Sequence, residues 1–386
     1  MFMKILFLFL IYFVNYQIGF SQEVKISVFN NLPLKGFSIT ANKGKYSIYQ
    51  KDEKITDISG NEALYITLFQ DKLVLQNAKG LLGSFQQIRI ISSGNINDIR
   101  ITPVEPKANG KIFPGNILLR IDYGRILIIN EVDIERYIAG VVEAETGSKA
   151  EPEFQKAQAL LCRTYLYSHI NRHETEGFNL CDEVHCQAYR GVSAYTDAIY
   201  KSTSLTRNLV VVAFDSSFIT ASFHGNCGGE TESSGNTWLN GKSYLQPVKD
   251  PYCQQKPNAN WQKEIPLMEW KTYLKNNGFK LKSKEPASFE TTKLGRQQYY
   301  RVGADSTLTK QIRADWKLKS SYFQISANDK TIKINGHGFG HGVGMCQDGA
   351  MKMATMGFRC EDIIGFYYTG VKVISINELS GVRPKK

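Results

Sequence analysis

The 386-residue sequence is short of charge: Asp, Glu, Lys and Arg make up 22% of it, against 42% hydrophobic residues. That balance excludes an intrinsically disordered chain, a collagen and a coiled coil. Internal repeats and low-complexity tracts are absent, so the length points to two or three folded units, each able to bury a core. No apolar run reaches the ~20 residues that a membrane span needs. The run Ile5 to Val14 follows Lys4, breaks at Asn15, Tyr16 and Gln17, and leads into Gly19-Phe20-Ser21. It reads as a signal peptide over residues 1–21, cleaved after Ser21, which would leave an exported chain without a stable transmembrane segment.

Acidic residues are the minority, 36 against 47 Lys and Arg, for a net charge of +11. Loss of Lys4 with the leader removes one of those charges, and the mature chain still favours an anionic partner. The cations are dispersed, with only short clusters at Lys280, Lys282, Lys284 and at Arg383, Lys385, Lys386. No nucleic-acid groove is expected; an exported basic protein suits an acidic polymer of the cell envelope. The seven cysteines are an odd number, so at least one stands outside any disulfide.

The fold class expected is α+β. Residues 22–105 alternate in short strands, such as Val24–Val28, Leu64–Leu68 and Ile88–Ile91, and form a β-rich N-terminal module of unreadable role. Pro103, Pro106 and Pro114 mark a joint, and a mixed α+β domain is expected over 110–375. It opens with two strand-like runs around an Asp122-Tyr123-Gly124 turn. Beyond Asn130 the period changes to about 3.6: Ile134, Tyr137, Ile138, Val141 and Val142 share a helical stripe, with Asp133 as N-cap and Gly147 past the end. A second helix starts at Pro152 and runs to about residue 171. Strand-like runs return at 209–214 and 218–223, and an α/β segment with a helix at 267–277 is inserted over about 261–334.

Continuing the stripe by one step gives Glu145, which should face the core or a cleft. Glu143 lies about 200° around the helix from it and should face away. A carboxyl on an apolar face loses solvation, so its pKa rises towards the value a general acid needs. The alternative is that Glu145 pairs with a cation such as Arg163.

The run Asp133-Ile-Glu-Arg-Tyr137-Ile-Ala-Gly140-Val-Val-Glu-Ala-Glu145, with Phe154-Gln-Lys156-Ala-Gln158-Ala and Arg163-Thr164-Tyr165, resembles the SpoIID/LytB family of stage II sporulation protein D and amidase enhancers. Further blocks follow in the family's order. They are Cys186-Gln187-Ala-Tyr189-Arg-Gly191, Phe223-His224-Gly-Asn-Cys-Gly228-Gly229-Glu-Thr231, and Gly340-His341-Gly342-Val-Gly344-Met345-Cys-Gln347. The resemblance implies that Glu145 is catalytic and that the reaction is lytic transglycosylation of peptidoglycan. One carboxyl protonates the oxygen between N-acetylmuramic acid and N-acetylglucosamine, then takes the proton of the sugar's own 6-hydroxyl, leaving a 1,6-anhydro end. The expected substrate is peptide-stripped glycan. Lys156, Gln158, Arg163, His224, His341 and Gln347 are the expected substrate-binding residues; the first three match the family's second helix, with helix surface and a local ion pair as their alternative, and the two histidines are read as parts of the cleft or its wall. The alternative function is a noncatalytic, wall-binding enhancer of a partner amidase.

His173, Cys181, His185 and Cys186 fall within fourteen residues, and soft thiolates and imidazoles at that density suit a structural zinc. His169 competes with His173 for the fourth position, and a Cys181–Cys186 disulfide is the rival reading. Four protein ligands would close the coordination sphere, which disfavours a zinc-dependent amidase or peptidase. The loop from Gly336 to Gly344 alternates glycines, which would let a sugar chain lie against the backbone, and it contains no G-x-G-x-x-G. In the absence of an H-E-x-x-H element, His337 and His341 are read as parts of the cleft or its wall, His337 as a structural residue. Cys227 and Cys253 are expected to form a disulfide bracing that wall. Cys162 reads as a small buried hydrophobe, and Cys346 and Cys360 have no nameable partner.

Overall fold

The computed structural model describes residues 22–379 apart from 95–96, 194–195, 282–284 and 292–294, so the expected signal peptide lies outside the described residues. Among the described residues no helix is long and apolar enough to cross a membrane.

The architecture is α+β. Most of the first 133 residues form two antiparallel sheets that share one core. The expected runs become strands Glu23–Val28, Ala63–Phe69 and Gln87–Ser92. The last two alternate buried with more exposed positions, as a half-covered sheet requires, whereas Glu23–Val28 alternates only at its start and is buried over its last three residues. The proline-marked joint is not a break in the sheets. Strand Arg125–Asp133 pairs along Glu23–Val28, Asn116–Asp122 pairs with Gln87–Ser92, and Lys111–Pro114 pairs with Asp98–Glu105. Sequence read locally sees the prolines but not these long-range partners, so the boundary expected at 105–110 falls inside one sandwich. The hairpin turn stands as expected, with Asp122 opposite Arg125 and positive φ at Tyr123 and Gly124.

Helix α1 (Ile134–Thr146) grows directly out of strand Arg125–Asp133. The Asp133 carboxylate accepts the Arg136 N–H at 2.9 Å, and the chain turns off at Gly147 with φ 73°. Its stripe of Ile134, Tyr137, Ile138, Val141 and Val142 is buried on the sandwich core. Helix α2 (Pro152–Ser168) starts at its proline and ends at Ser168, three residues short of the expected end, with His169 as its C-cap. Gly140 sets how closely the segment after Cys186 approaches α1. A Cβ there would lie 2.7 Å from the Tyr189 ring and 2.8 Å from the Gly191 carbonyl oxygen. Tyr189 cannot yield, since it is fully buried and its hydroxyl donates to Asn130 Oδ1 at 3.1 Å. Gly140→Ala should therefore cost about 1–3 kcal/mol of overpacking, read as a lowered melting temperature.

Helix α3 (Thr196–Thr203) flanks α1 and α2, and strand Leu209–Val212 pairs with Lys372–Ser375. The run 218–223 is not a continuous strand; Phe218 makes a single bridge to Val212, and Phe223–His224 pairs in parallel with Met345–Cys346. The short α4 (Ser234–Thr237) follows. The inserted segment has its own core, in which α5 (Leu267–Asn276) and α6 (Thr309–Asp315) pack Trp270, Leu274 and Ile312 on a three-stranded sheet. The chain returns through the glycine loop to α7 (Gln347–Thr355) and α8 (Cys360–Tyr367), which pack on α2 in a second core.

Candidate active site and metal cluster

The C-terminal turn of α1 separates its two glutamates as the helical angle demands. Glu143 accepts hydrogen bonds from the hydroxyls of Ser193 and Thr196, on the side of α3. Glu145 is half-buried, and no hydrogen bond or ion pair reaches it among the described residues. Burial raises its pKa above the ordinary value of 4.5, and the charge of Arg190 opposes that rise. A carboxyl kept short of water and free of a fixed partner is able both to give up and to take back a proton.

Arg163 is not the partner of Glu145 and cannot be a substrate ligand. Its guanidinium is fully buried and grips Glu135 through two bonds, Nη2 to Oε2 at 2.6 Å and Nε to Oε1 at 3.0 Å. It also donates to the Leu209 carbonyl at 3.1 Å. This pair clamps α2 to the start of α1; breaking such a buried pair on one side costs about 3–5 kcal/mol. Lys156 lies on a different face of α2 from Gln158, about 200° around. It pairs with Glu153 at 2.6 Å, and Glu153 accepts the Cys360 N–H at the start of α8.

Gln158 does belong to the neighbourhood of Glu145, from behind. It is fully buried and donates to the Cys162 sulfur at 3.5 Å, while its Oε1 faces Gln347 Nε2 at 3.5 Å. Burial pushes the Cys162 thiol up to about 12, and the nearby charge of Glu145 adds to the rise. Gln158, Cys162 and Gln347 are thus linked, with Glu145 near enough for its charge to act on Cys162, and half-buried Glu145 and Gln347 are the members able to meet a ligand. A surface groove lined by Glu143, Ala144, Gly147, Ser148, Arg190 and Ser193 runs past the same helix end on the Glu143 side, and Glu145 is not among its lining residues.

The two cleft histidines form a separate wall. His224 is buried, with Nδ1 donating to the Val343 carbonyl at 3.1 Å, and burial, followed by the neighbouring His341 and Arg296, lowers its pKa. His341 accepts the Val343 N–H at Nδ1 at 3.0 Å, sits between His224 and Trp238, and is lowered to about 4 by burial and then by Arg313. It lines a small recess with Glu232, Asn236 and Arg313. His337 is tied to Asn260 at 2.8 Å, as a structural residue would be. The glycine loop does not lie bare for a sugar chain. At Gly344, with φ 72°, a Cβ would fall 2.0 Å from the Ser222 carbonyl oxygen, so its small size serves internal packing.

His173, Cys181, His185 and Cys186 converge, with one donor atom from each within 4.8 Å of all the others. Cys181 Sγ lies 3.3 Å from His185 Nε2, and Cys186 Sγ lies 3.4 Å from His173 Nε2. His173 Nδ1 is held by Glu176 at 2.6 Å, which aims Nε2 inward as a metal-ligating imidazole is usually aimed. His169 is stacked on Tyr165 outside the group, and both cysteines are free thiols, so the donor set fits a tetrahedral metal. Cys227 and Cys253 are also free, 3.3 Å apart, and do not form the expected disulfide.

Sequence reasoning passed over Arg190, although it sits in the quoted block after Cys186; on an irregular segment, no periodicity says where a side chain points. Gln187 Nε2 of the same segment donates to the Cys162 carbonyl at 3.2 Å, and its Oε1 accepts the Tyr137 hydroxyl at 3.2 Å. The Cys/His cluster therefore anchors the strip that carries Arg190 past Glu145.

A family model described as stage II sporulation protein (SpoIID) matches residues 122–212, which contain α1, α2, the Cys/His cluster and Arg190. An uncharacterized protein of Brachyspira hyodysenteriae is 29% identical over 279 residues, 70% of this chain and 75% of the relative. Stage II sporulation protein D of Bacillus subtilis is 29% identical over 261 residues, 64% and 75% respectively. The amidase enhancer of Bacillus subtilis is 26% identical over 293 residues, 62% of this chain and 40% of the relative.

Proposed function

From the premise that this chain belongs to the SpoIID/LytB family, we propose that it is an exported cell-wall enzyme, a lytic transglycosylase acting on peptidoglycan glycan strands. The observation that carries the reading is Glu145, a half-buried carboxyl with a raised pKa and no fixed partner among the described residues. Protonated, it delivers its proton to the glycosidic oxygen between N-acetylmuramic acid and N-acetylglucosamine. As a carboxylate, it then accepts the proton of the sugar's 6-hydroxyl, which closes the 1,6-anhydro ring without a catalytic water. A second carboxylate of the kind ordinary glycosidases pair with the first is not needed. Gln347 orients the sugar and Arg190 holds a muramic-acid carboxylate.

The His173, Cys181, His185 and Cys186 group holds one structural zinc in this reading. When bound, the metal would tie the end of α2 to the strip leading to Arg190, with no coordination position left for chemistry.

Arg190 gives two tests. Since its charge lowers the Glu145 pKa, Arg190→Gln should let that pKa rise further. A general acid works protonated, so the alkaline limb of the kcat/KM profile should move to higher pH in the variant. An unmoved limb would mean that Glu145 is not the titrating acid. Peptide-stripped glycan exposes lactyl carboxylates, so pretreating peptidoglycan with an amidase should raise turnover, with a gain that shrinks as salt screens the charge over ~10 Å. Equal rates on treated and untreated material would contradict the charge argument alone.

The relative named amidase enhancer supports a second reading, in which the protein binds the wall and stimulates a partner amidase. That role would need the groove but not the protonation state of Glu145.

A further inference from the structure

Cys227, Asp250, Cys253 and Cys346 meet in the second core, from three segments up to 119 residues apart. All four are 0% exposed, and one donor atom from each lies within 4.8 Å of all the others. Cys227 Sγ is 3.2 Å from Asp250 Oδ2 and 3.3 Å from Cys253 Sγ. Four ligands around a metal with Zn–S bonds of 2.3 Å would stand about 3.8 Å apart, so the group needs only small shifts to close on an ion.

Asp250 is the residue that packing alone does not explain. Its carboxyl accepts the Tyr367 hydroxyl at 2.9 Å on Oδ2 and the Tyr252 N–H at 2.8 Å on Oδ1, yet no Lys, Arg or His pairs with it among the described residues. A buried carboxylate is ordinarily paired with a cation or bound to a metal. Beside it stand three thiols, one of which already has two ordered backbone donors on its sulfur: the Cys227 N–H reaches Cys346 Sγ at 3.2 Å, and the Gly349 N–H reaches it at 3.4 Å. Such N–H contacts stabilise a thiolate. A Cys227–Cys253 disulfide would account for two of the sulfurs and leave Cys346 and Asp250 without a counter-charge.

We propose that Cys227, Asp250, Cys253 and Cys346 bind a second zinc ion, distinct from the one at the Cys/His cluster. Three soft thiolates and one carboxylate suit zinc rather than magnesium or calcium, and four protein ligands with no exposure make the site structural. The ion would bind with release of the thiol protons, without any change of oxidation state. It would join the end of the strand carrying His224, the loop at Asp250–Cys253, and Cys346, whose neighbour Gln347 opens α7. The inference does not depend on the proposed activity; it concerns metal content.

The test uses the mature protein purified without added metal. Cys181→Ser removes the first cluster and leaves the second intact, so that variant should retain about one equivalent of zinc by elemental analysis. In it, Cys227, Cys253 and Cys346 should resist alkylation until a chelator is added. The further change Cys346→Ser should take the zinc content to none, and if that protein fails to fold, the alkylation result in Cys181→Ser decides alone. Cys181→Ser protein lacking zinc, alkylation of the three thiols without chelator, or a mapped Cys227–Cys253 disulfide would overturn the proposal.

Discussion

Replacing Glu145 by Gln should lower glycan cleavage by about 10²–10⁴-fold, the contribution expected of a general acid/base, while the protein stays folded. The amide keeps the size and polarity of the side chain but has no proton of suitable acidity. The same change should leave the protein slightly more stable. Burial raises the folded-state pKa of Glu145 above its ordinary value of 4.5. An acid shifted in that direction costs stability when ionised: nothing below the unfolded pKa, and the full amount above the folded one. Glu145→Gln removes that cost, so its melting temperature should exceed the wild type near neutral pH and converge with it in acid. Glu143→Gln should behave oppositely. It weakens the contacts with Ser193 and Thr196 and lowers stability modestly, with activity kept within a few-fold. Similar activity in both variants would remove the mechanism.

Cys181→Ser should release one zinc and lower the melting temperature. Structural zinc contributes roughly 10–16 kcal/mol in isolated zinc-finger peptides. Here the surrounding core is already large, and strand Leu180–Cys181 is paired with Glu23–Val28, so the loss should be nearer 2–3 kcal/mol. For a folded unit of 150–250 residues that is a fall of about 5–10 °C. The strip from Cys186 to Gly191 should loosen before the sandwich melts, because Gln187 and Arg190 depend on it for their positions. Hydrogen exchange should therefore rise at 186–191 first, and activity per folded molecule should fall less than stability. An unchanged melting temperature after complete zinc loss would argue that the cluster holds nothing structural.

What could be read from the sequence was whatever depends on local spacing. The stripe on α1, its Asp133 cap and Gly147 stop, and the opposite facings of Glu143 and Glu145 all follow from 3.6 residues per turn. The Cys/His cluster was visible because its members lie close along the chain. Features made by distant pairing were not visible. Arg163 looked like a cation free for substrate because its partner Glu135 lies 28 residues away. The strand at Arg125–Asp133 looked like part of a new domain because its partner, Glu23–Val28, lies at the start of the described chain, before the proline-marked joint. Cys346 had no apparent role because Asp250 and Cys253 are reached only through the tertiary fold.

The most direct test of the central claim is mass spectrometry of the fragments released when the purified protein digests peptide-stripped glycan. The account predicts disaccharide products ending in 1,6-anhydro-N-acetylmuramic acid, each one water lighter than its hydrolytic counterpart, and their loss in Glu145→Gln. Products with ordinary reducing ends would contradict it, as would intact glycan alongside stimulation of an added amidase by wild type and Glu145→Gln alike.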